Sequence, residues 1–451
     1  MYNIYKRVFG GIIDKKFNWE SDIRDRQYRE RAIHHLPFYN WINAPNNSHY
    51  FIWLEWAGYD RNFYYKEHPS RWIDYVCDED KVYTHNHQFN IPNIIYQDIY
   101  DGKCKVLLDT STEHCYAGKI DWNKFFNFTK LDTNHFIHLA NDVCWDSETT
   151  YEVNKCASTS KNIPTVFYNF WEKYISYEIT NDYYNFDFIK NRISDKHHRE
   201  WKAISFNRRL SPLRIEICKF ISETLDCIDY SFGGSVLFKE GDEYTKEADS
   251  DIEQAYNSYN EIDNLVDMVS KEFNTCSSVE YKNWIQNNLF KKAHTDINHE
   301  SNDYASNVRM PIISHTNSYF NIVTETGHCL KNSIIIITEK SYKPIAMFQP
   351  FVIVGSPGII QLLRDDGYDV FDDIIDHSYD FDVDNRINLL KEEIVRLCSI
   401  SDKEWSQLLF EMLPRLTYNH EHLKKKFNEF VPFHKPLYQG SEINLSEFCC
   451  V

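Results

Sequence analysis

Residues 334–360 read IIIITEKSYKPIAMFQPFVIVGSPGII, and this stretch decides the fold class. Two short apolar runs, at 333–337 and 351–354, have the length and composition of buried strands. A helix is predicted after each of them, at 341–348 and at 359–366. Strands and helices that alternate with short connections are typical of a parallel sheet covered by helices on both faces. The stretch therefore predicts an α/β fold.

The same alternation occurs upstream, where residues 202–206 predict a strand. Ser211 and Pro212 predict the start of the following helix, because Ser caps helix N termini and Pro suits the first helical position. Residues 319–326 predict another strand, which ends at Glu325. Further candidate strands lie at 49–56, 105–109, 135–139, 164–170 and 370–375, and terminal helices are predicted at 402–413 and 420–430.

The length of the chain, 451 residues, is enough for two or three domains. A polar stretch at 172–201 lacks clear periodicity, so we place the crossing between domains there. We predict a first domain at 1–198, a second domain at 199–400, and C-terminal helices with a tail at 401–451.

The composition limits the classes of partner and compartment. The net charge of −18 repels phosphate backbones, so nucleic-acid binding is disfavoured. No apolar run approaches the roughly 20 residues that a membrane span needs, and the first residues lack the apolar core of a signal peptide. Twelve cysteines without a CxxC pair argue for reduced thiols rather than zinc fingers. We therefore expect a cytoplasmic protein, in the host cytoplasm if its source is viral, and leave its oligomeric state open.

Polar turns follow two of the predicted strands, and ligands of open parallel sheets bind beyond such carboxyl ends. Thr338, Glu339 and Lys340 follow a run of four isoleucines. A helix N terminus and a lysine favour a phosphate, and a carboxylate can accept hydrogen bonds from ribose hydroxyls. The alternative interpretation is a helix cap with a solvated ion pair.

The other polar turn carries Asn207, Arg208 and Arg209. Arginine suits bidentate contacts with phosphate, and the alternative is a basic surface turn. Glu325 ends its strand where a carboxylate could contact a sugar, and here the alternative is an exposed acid at a strand end.

Metal and dinucleotide sites have little support in the sequence. Asp-x-Asp triplets, among them those at 249–251, 380–382 and 382–384, match a pattern that holds a divalent metal in some nucleotide-sugar enzymes. An acidic chain produces such triplets by chance, and none clearly follows a buried strand. There is no GxGxxG, GxxxxGK[ST] or GxSxG motif, which disfavours dinucleotide, Walker-type and hydrolase sites. We predict no metal and no other cofactor.

Residues 337–355 resemble the C-terminal block of fucosyltransferase-like glycosyltransferases. The family-10 α-1,3-fucosyltransferases carry a related strand, a Thr-Glu-Lys turn and a helix, followed by a Pro-containing strand and Gly. Residues 321–380 are also similar to phage and marine bacterial glycosyltransferase-like proteins, as is an upstream block at 204–209 followed by Pro and Arg214. The resemblance covers about residues 200–400 and is weak in the N-terminal half.

The resemblance implies a GT-B arrangement, in which two Rossmann-like domains face each other across a cleft. The N-terminal domain would receive the acceptor, and the C-terminal domain would hold the nucleotide-sugar. By position, Glu339 resembles the ribose-binding acid, Lys340 a diphosphate partner and Glu325 a sugar-side residue. The residues predicted to bind the nucleotide-sugar are Asn207, Arg208, Arg209, Glu325, Thr338, Glu339, Lys340, Tyr342 and Lys343.

We therefore predict a glycosyltransferase that moves a sugar from a GDP-fucose-like donor or a UDP-sugar to a glycan or other hydroxyl acceptor. Inversion without a metal is expected, and it needs a base in the N-terminal half. At most one of four acids is that base: Glu55, Asp60, Asp109 and Glu113. Two alternatives stay open: a glycosyltransferase of hydroxymethylated phage DNA, against which the net charge argues, and a non-catalytic carbohydrate-binding or virion protein with the same fold.

Overall fold

A computed structural model of the chain describes two compact units, Met1–Tyr177 with Lys425–Val451, and Glu178–Lys424. The predicted boundary between residues 198 and 199 lies further along the chain and stays a prediction. The residues that the structure describes are 3–5, 50–55, 99–102, 104–109, 131–140, 143–145, 151–153, 165–167, 169–180, 184–195, 198–207, 211–232, 266–267, 269–271, 278–288, 310–325, 334–382 and 384–426.

The strands and helices are numbered in chain order. The strands are β1 Asn3–Tyr5, β2 Tyr50–Glu55, β3 Cys104–Asp109, β4 Phe136–Ala140, β5 Val143–Trp145, β6 Tyr151–Val153, β7 Thr165–Phe167, β8 Trp201–Asn207, β9 Ile228–Phe232, β10 Ser318–Thr324, β11 Ile334–Ile335 and β12 Phe351–Val354. The helices are α1 Phe170–Thr180, α2 Phe186–Ser194, α3 Pro212–Thr224, α4 Ser278–Asn288, α5 Ile312–Thr316, α6 Glu339–Ala346, α7 Ile359–Asp365, α8 Arg386–Ser399 and α9 Asp402–Lys426.

The first unit contains a five-stranded sheet in the order β1-β2-β3-β4-β7. All of its neighbouring strands run parallel. The predicted strands at 49–56, 105–109 and 135–139 are confirmed as β2, β3 and β4. The fourth prediction, 164–170, ran too far, because helix α1 already begins at Phe170.

The second unit contains a four-stranded parallel sheet in the order β12-β10-β8-β9. Every residue of β9, β10 and β12 is buried, as expected for strands covered on both faces. The sequence-based prediction of an α/β fold on parallel sheets is therefore confirmed. The run of isoleucines forms only the two-residue strand β11, which is not one of these four strands.

The start of α3 and both ends of α7 lie within one residue of their predicted positions, whereas α6 begins and ends two residues before the predicted helix 341–348. Ser211 accepts a hydrogen bond from the backbone of Arg214 at the start of α3, and Pro212 occupies the first helical position. Gly358 has φ 85° directly before α7, and Gly367 has φ 92° just after it. Both values lie in the left-handed region that glycine adopts at little cost.

Two predictions in the C-terminal part were wrong. The strand predicted at 370–375 is a series of turns, in which Phe371 has φ 64° and cannot continue a strand. The two terminal helices are one helix, α9, which continues through Pro414. Its buried face supports it despite the proline, since Trp405 stacks on Phe320 with ring centroids 5.4 Å apart and donates a hydrogen bond to the carbonyl of Leu397.

Candidate functional site

The carboxyl edge of the second sheet carries the polar residues that the sequence singled out. Glu325 follows β10 directly, and its backbone N–H donates to the carbonyl of Val354 at the end of β12, 2.8 Å away. On the other side of β10, Asn207 ends β8. Because all strands of this sheet are parallel, these positions lie at one edge, as the sequence analysis expected.

Glu325 connects this edge to the first turn of helix α6. Its carboxylate accepts hydrogen bonds from the Thr338 backbone N–H at 3.0 Å, the Thr338 hydroxyl at 2.6 Å and the Ser341 hydroxyl at 2.5 Å. The side chain is fully buried. Glu325 therefore fixes the position of α6 relative to the sheet, a structural role that the sequence did not indicate.

The first turn of α6 brings together a buried acid and a partly exposed cation. Thr338 is the N-cap of the helix, and its hydroxyl accepts from the backbone N–H of Lys340. The ammonium of Lys340 donates to the Thr338 hydroxyl at 3.1 Å and to the Glu339 carboxylate at 3.0 Å. The Lys340 side chain is 27% exposed and that of Glu339 only 7%. Lys340 therefore keeps access to solvent while it compensates the buried charge.

Opposing effects act on the pKa of Glu339. Burial acts to raise it, but the positive charges of Lys340 and Lys343 and the hydrogen bond from Lys340 outweigh burial, so the pKa is lowered. Glu339 is thus an anion at neutral pH and can accept hydrogen bonds from a ligand's hydroxyl groups. Its position at the start of a helix favours the charged form further.

Asn207 and Arg214 are buried at the same edge. The Asn207 side chain accepts a hydrogen bond from the hydroxyl of Thr324, and its NH₂ group donates to the hydroxyl of Ser205 at 3.0 Å. The Arg214 guanidinium donates to the Thr324 carbonyl at 3.0 Å and is 2% exposed. The sequence indicated no role for Arg214 in the site. The sequence feature that could have indicated it is a charged residue among the apolar positions of α3.

The loop between β12 and α7 lies against Glu325. A side chain at Gly355 would place its Cβ atom 3.2 Å from the Cβ atom of Glu325 and 3.0 Å from a methyl group of Ile359, so these neighbours would have to shift by a few tenths of an ångström to admit it. The carboxylate of Asp380 accepts hydrogen bonds from the backbone N–H groups of Ile360 and Gln361, at 3.0 and 3.3 Å. These contacts hold the first turn of α7.

Asp380 and Arg386 form an enclosed ion pair behind this loop. Their carboxylate and guanidinium are 3.6 Å apart, and the two side chains are 0% and 1% exposed. Burial raises the pKa of Asp380 to about 6, against the lowering effects of Arg386 and of the backbone N–H groups. Burial also lowers the pKa of Arg386, while the charge of Asp380 acts to raise it. The triplet 380–382 thus contributes a structural acid.

The predicted nucleotide-sugar residues are only partly brought together. Glu325, Thr338, Glu339 and Lys340 are linked by hydrogen bonds, while Lys343 acts on Glu339 through its charge. Tyr342 is buried and packs against Tyr368. Asn207 reaches the group through Thr324, and Arg208 and Arg209 lie outside the described residues.

Two of the four candidate bases lie on described strands. Glu55 and Asp109 are the last residues of β2 and β3, and the two are register partners in the parallel pair. Neighbouring strands lie about 4.8 Å apart, so both backbones reach one point of the carboxyl edge of the first sheet. Asp60 and Glu113 lie outside the described residues.

Neither a metal-binding cluster nor a membrane-spanning helix is found in the part of the chain that the structure describes. Within it, no group of three or more His, Cys, Asp or Glu side chains could hold a metal ion. Among the same residues, no helix has both the length and the apolar character needed to cross a membrane.

Comparisons with known proteins give only remote likenesses. No protein-family model and no curated protein matches the chain. The N-terminal domain of a Candida albicans trehalose-6-phosphate phosphatase is similar at 8% identity and a TM-score of 0.33, over 93% of this chain and 76% of that one. A trehalose-6-phosphate structure from E. coli bound with UDP-2-fluoro glucose is similar at 11% identity and a TM-score of 0.33, over 94% and 82%. At these values neither likeness identifies a family or a function.

Proposed function

We propose that the chain is a glycosyltransferase that binds a nucleotide-diphosphate sugar at the carboxyl edge of the second sheet. The observation that carries the proposal is the first turn of α6, where a buried, ionised Glu339 lies beside a solvent-reaching Lys340. An acid suited to ribose hydroxyls and a cation suited to a diphosphate thus lie next to each other. A helix N terminus at the carboxyl end of parallel strands is a favourable place for such a ligand.

Lys340 is proposed to stabilise the leaving diphosphate. Negative charge develops on this group as the bond to the anomeric carbon breaks in an oxocarbenium-like transition state. A fixed cation and helix N–H groups stabilise that charge without rearrangement during the reaction. Lys343, one helical turn further along, adds to the positive potential. Arg208 and Arg209 are proposed as further diphosphate contacts.

Glu325 supports this site as the group that positions α6, and a contact with the donor sugar remains part of the proposal. Three hydrogen bonds from Thr338 and Ser341 hold its carboxylate against the helix start. A rigid first turn keeps Glu339 and Lys340 in place before the ligand arrives, which reduces the entropy lost on binding.

The acceptor base is proposed to come from the first sheet. Glu55 and Asp109 are the preferred candidates, since they end neighbouring parallel strands in register. One carboxylate there would take the proton of the acceptor hydroxyl in an inverting displacement. The donor is a GDP-fucose-like or UDP-sugar, and the acceptor is a glycan or another hydroxyl compound. The reaction is proposed to need no metal, so EDTA is expected to leave turnover intact.

A thermal-shift screen with GDP, UDP, ADP and CMP, followed by their sugars, tests the nucleotide site. A ligand at a hundredfold excess over its Kd stabilises the protein by about 2.7 kcal/mol. With the best ligand, Lys340→Ala is expected to raise Kd roughly ten- to a hundredfold, the loss of a hydrogen bond to a charged group.

Lys403→Ala is the matched control, because Lys403 is an exposed lysine on α9. It should bind the nucleotide like the wild type. Equal affinity of the wild type and Lys340→Ala for every nucleoside diphosphate, measured by calorimetry, would contradict the proposal and favour a helix cap with a solvated ion pair.

A further inference from the structure

Two cysteines come together at the amino edge of the second sheet, opposite the candidate site. Cys227 directly precedes β9, and Cys398 is the penultimate residue of α8. Both side chains are partly exposed. Each thiol acts directly on the pKa of the other, which makes the two thiols neighbours.

Lys202 holds the two segments together independently of that thiol contact. Its backbone N–H donates to the Cys227 carbonyl at 2.8 Å. Its ammonium donates to the carbonyl of Ile400, two residues after Cys398, at 2.6 Å, and forms an ion pair with Asp402. The lysine side chain is 15% exposed, and the Asp402 carboxylate compensates much of its positive charge. One basic residue thus holds both cysteine-bearing segments, and its charge makes a small contribution that lowers the pKa of each thiol.

We propose that Cys227 and Cys398 are a reversible thiol–disulfide site, with Cys227 as the attacking thiol and Cys398 as the resolving one. Cys398 lies next to Cys227 and favours its thiolate, Asp226 opposes it, and Lys202 adds a smaller favourable charge. Cys398 lies in the last turn of α8, where the negative end of the helix dipole disfavours a thiolate.

The pKa values of the two thiols agree with this assignment. The hydrogen bond from Cys398 lowers the pKa of Cys227 to about 7, against burial and Asp226, which act to raise it. The hydrogen bond to Cys227 raises the pKa of Cys398, with burial acting in the same direction. A thiol with a pKa near ambient pH combines a useful thiolate fraction with high intrinsic nucleophilicity.

The oxidant is a small disulfide of the glutathione class, R–S–S–R. The Cys227 thiolate attacks one of its sulfurs, forms a mixed disulfide and releases RS⁻. Cys398 then loses its proton and attacks the Cys227 sulfur, so that the second RS⁻ leaves. In total, two protein thiols are oxidised and one R–S–S–R is reduced to two RSH. The new bond joins the start of β9 to the end of α8.

Strands of this sheet are five to seven residues long on β8 to β10, so the two edges are about 15–20 Å apart. Disulfide formation at the amino edge is therefore expected to leave nucleotide binding at the carboxyl edge intact. The failure of either proposal can thus be told from the failure of the other.

The full chain is equilibrated in buffers of oxidised and reduced glutathione, trapped with N-ethylmaleimide and digested without reduction. A peptide pair linking Cys227 to Cys398 is expected in the mass spectrum, with a melting temperature raised by roughly 5–10 °C, since the bond closes a long loop. Cys227→Ser and Cys398→Ser should lose that shift. Cys218→Ser should keep it, because Cys218 is fully buried on α3.

A second measurement needs no cysteine variant. Iodoacetamide at pH 7.5 should label Cys227 in the reduced wild type at least tenfold faster than Cys218, and Lys202→Met should slow that reaction. Equal labelling rates would overturn the assignment of Cys227 as the attacking thiol. Oxidation that links Cys227 to another cysteine, or that leaves it reduced when other thiols are oxidised, would overturn the pair.

Discussion

Glu339 and Asp380 are both buried acids beside a basic residue and the first turn of a helix, yet their pKa values shift in opposite directions. The cation beside Glu339 belongs to Lys340, whose side chain is 27% exposed, and the pKa of the acid is lowered. The cation beside Asp380 belongs to Arg386, which is 1% exposed, and burial raises the pKa of that acid to about 6.

The difference lies in how far each pair is separated from water. Arg386 is fully enclosed. Its three guanidinium nitrogens have no hydrogen-bond partner among the residues that the structure describes. The free energy lost by removing the two charges from water then exceeds the free energy gained from their attraction at 3.6 Å. Lys340 keeps a hydrated side and contacts both Thr338 and Glu339. The Glu339–Lys340 pair, here called the open pair, can exchange water for a ligand. The Asp380–Arg386 pair, the enclosed pair, is suited to stabilising the fold.

The largest effect is expected from breaking the enclosed pair. Asp380→Ala leaves the buried charge of Arg386 uncompensated and removes the acceptor for the first turn of α7, so the free energy of unfolding should fall by about 3–5 kcal/mol. Urea unfolding measures the loss. The exposed neighbour gives the control, and Asp384→Ala should change stability by less than about 0.5 kcal/mol. A loss below 1 kcal/mol in Asp380→Ala would mean that the pair does not hold the fold.

A smaller loss of unfolding free energy is expected when Glu325 is replaced. This residue joins the carboxyl edge of the second sheet to the first turn of α6. Glu325→Ala leaves the Thr338 N–H and two hydroxyl groups without their buried acceptor, and should cost about 2–3 kcal/mol of unfolding free energy. It should also weaken nucleoside diphosphate binding, because the first turn of α6 loses its anchor. Glu325→Gln keeps one acceptor oxygen and should fall in between. Wild-type stability in Glu325→Ala would rule out this anchoring role.

The two acids should give opposite dependences of stability on pH. Between about pH 4 and 6, folded Asp380 keeps a proton that the unfolded chain releases, so its contribution to stability falls as pH rises through that window. At about 1.4 kcal/mol per pKa unit this amounts to at most about 3 kcal/mol. The pKa of Glu339 is lowered, so its contribution is present above the ordinary value of 4.5 and is lost as pH falls below it.

Urea unfolding of the wild type, Asp380→Asn and Glu339→Gln from pH 3.5 to 7 separates these contributions. As pH falls from 7 to 4, the wild type should gain stability relative to Asp380→Asn. Below about pH 4.5 it should lose stability relative to Glu339→Gln. If the stability differences between the wild type and the two variants changed with pH in the same direction, the distinction between the open and the enclosed pair would be wrong.

The smallest change in stability is expected at Lys340. Lys340 is partly exposed, and Lys343 also acts on the buried Glu339, so Lys340→Ala should cost only about 1 kcal/mol and melt close to the wild type. The same variant should show the large loss of nucleotide affinity proposed above. A melting temperature lowered as far as in Glu325→Ala would indicate that Lys340 holds the fold rather than a ligand.

Local patterns in the sequence predicted most of the second unit. Short apolar runs gave β8, β10 and β12, and Ser211 with Pro212 gave the start of α3, because these signals act within a few residues. The predictions failed where distant packing decides the structure. Nothing local shows that α9 passes through Pro414, since stacking of Trp405 on Phe320 supports that helix.

The sequence predicted which residues lie at the candidate site, but only part of what those residues do. The sequence placed Glu325, Glu339 and Lys340 near one edge, and the structure links them. It did not reveal that Glu325 anchors α6, because that depends on atoms 13 to 16 residues further along the chain. Nor did it assign roles to Arg214 or Arg386, whose burial follows from the assembled core.

The close approach at Gly355 limits how such a chain can vary. With only 3.0–3.2 Å between a Cβ atom and its neighbours, a saturation library at this position should favour glycine and, after it, the smallest side chains. Gly102, which has nothing within 4 Å of a hypothetical Cβ atom, is restricted only by its φ of 72°. Insertions or substitutions beyond Gly355 are therefore the easier way to diversify the loop after β12, because they leave the atoms that touch Glu325 unchanged. Related proteins could in this way differ at the edge of the candidate site while the contacts between Glu325 and α6 stay the same.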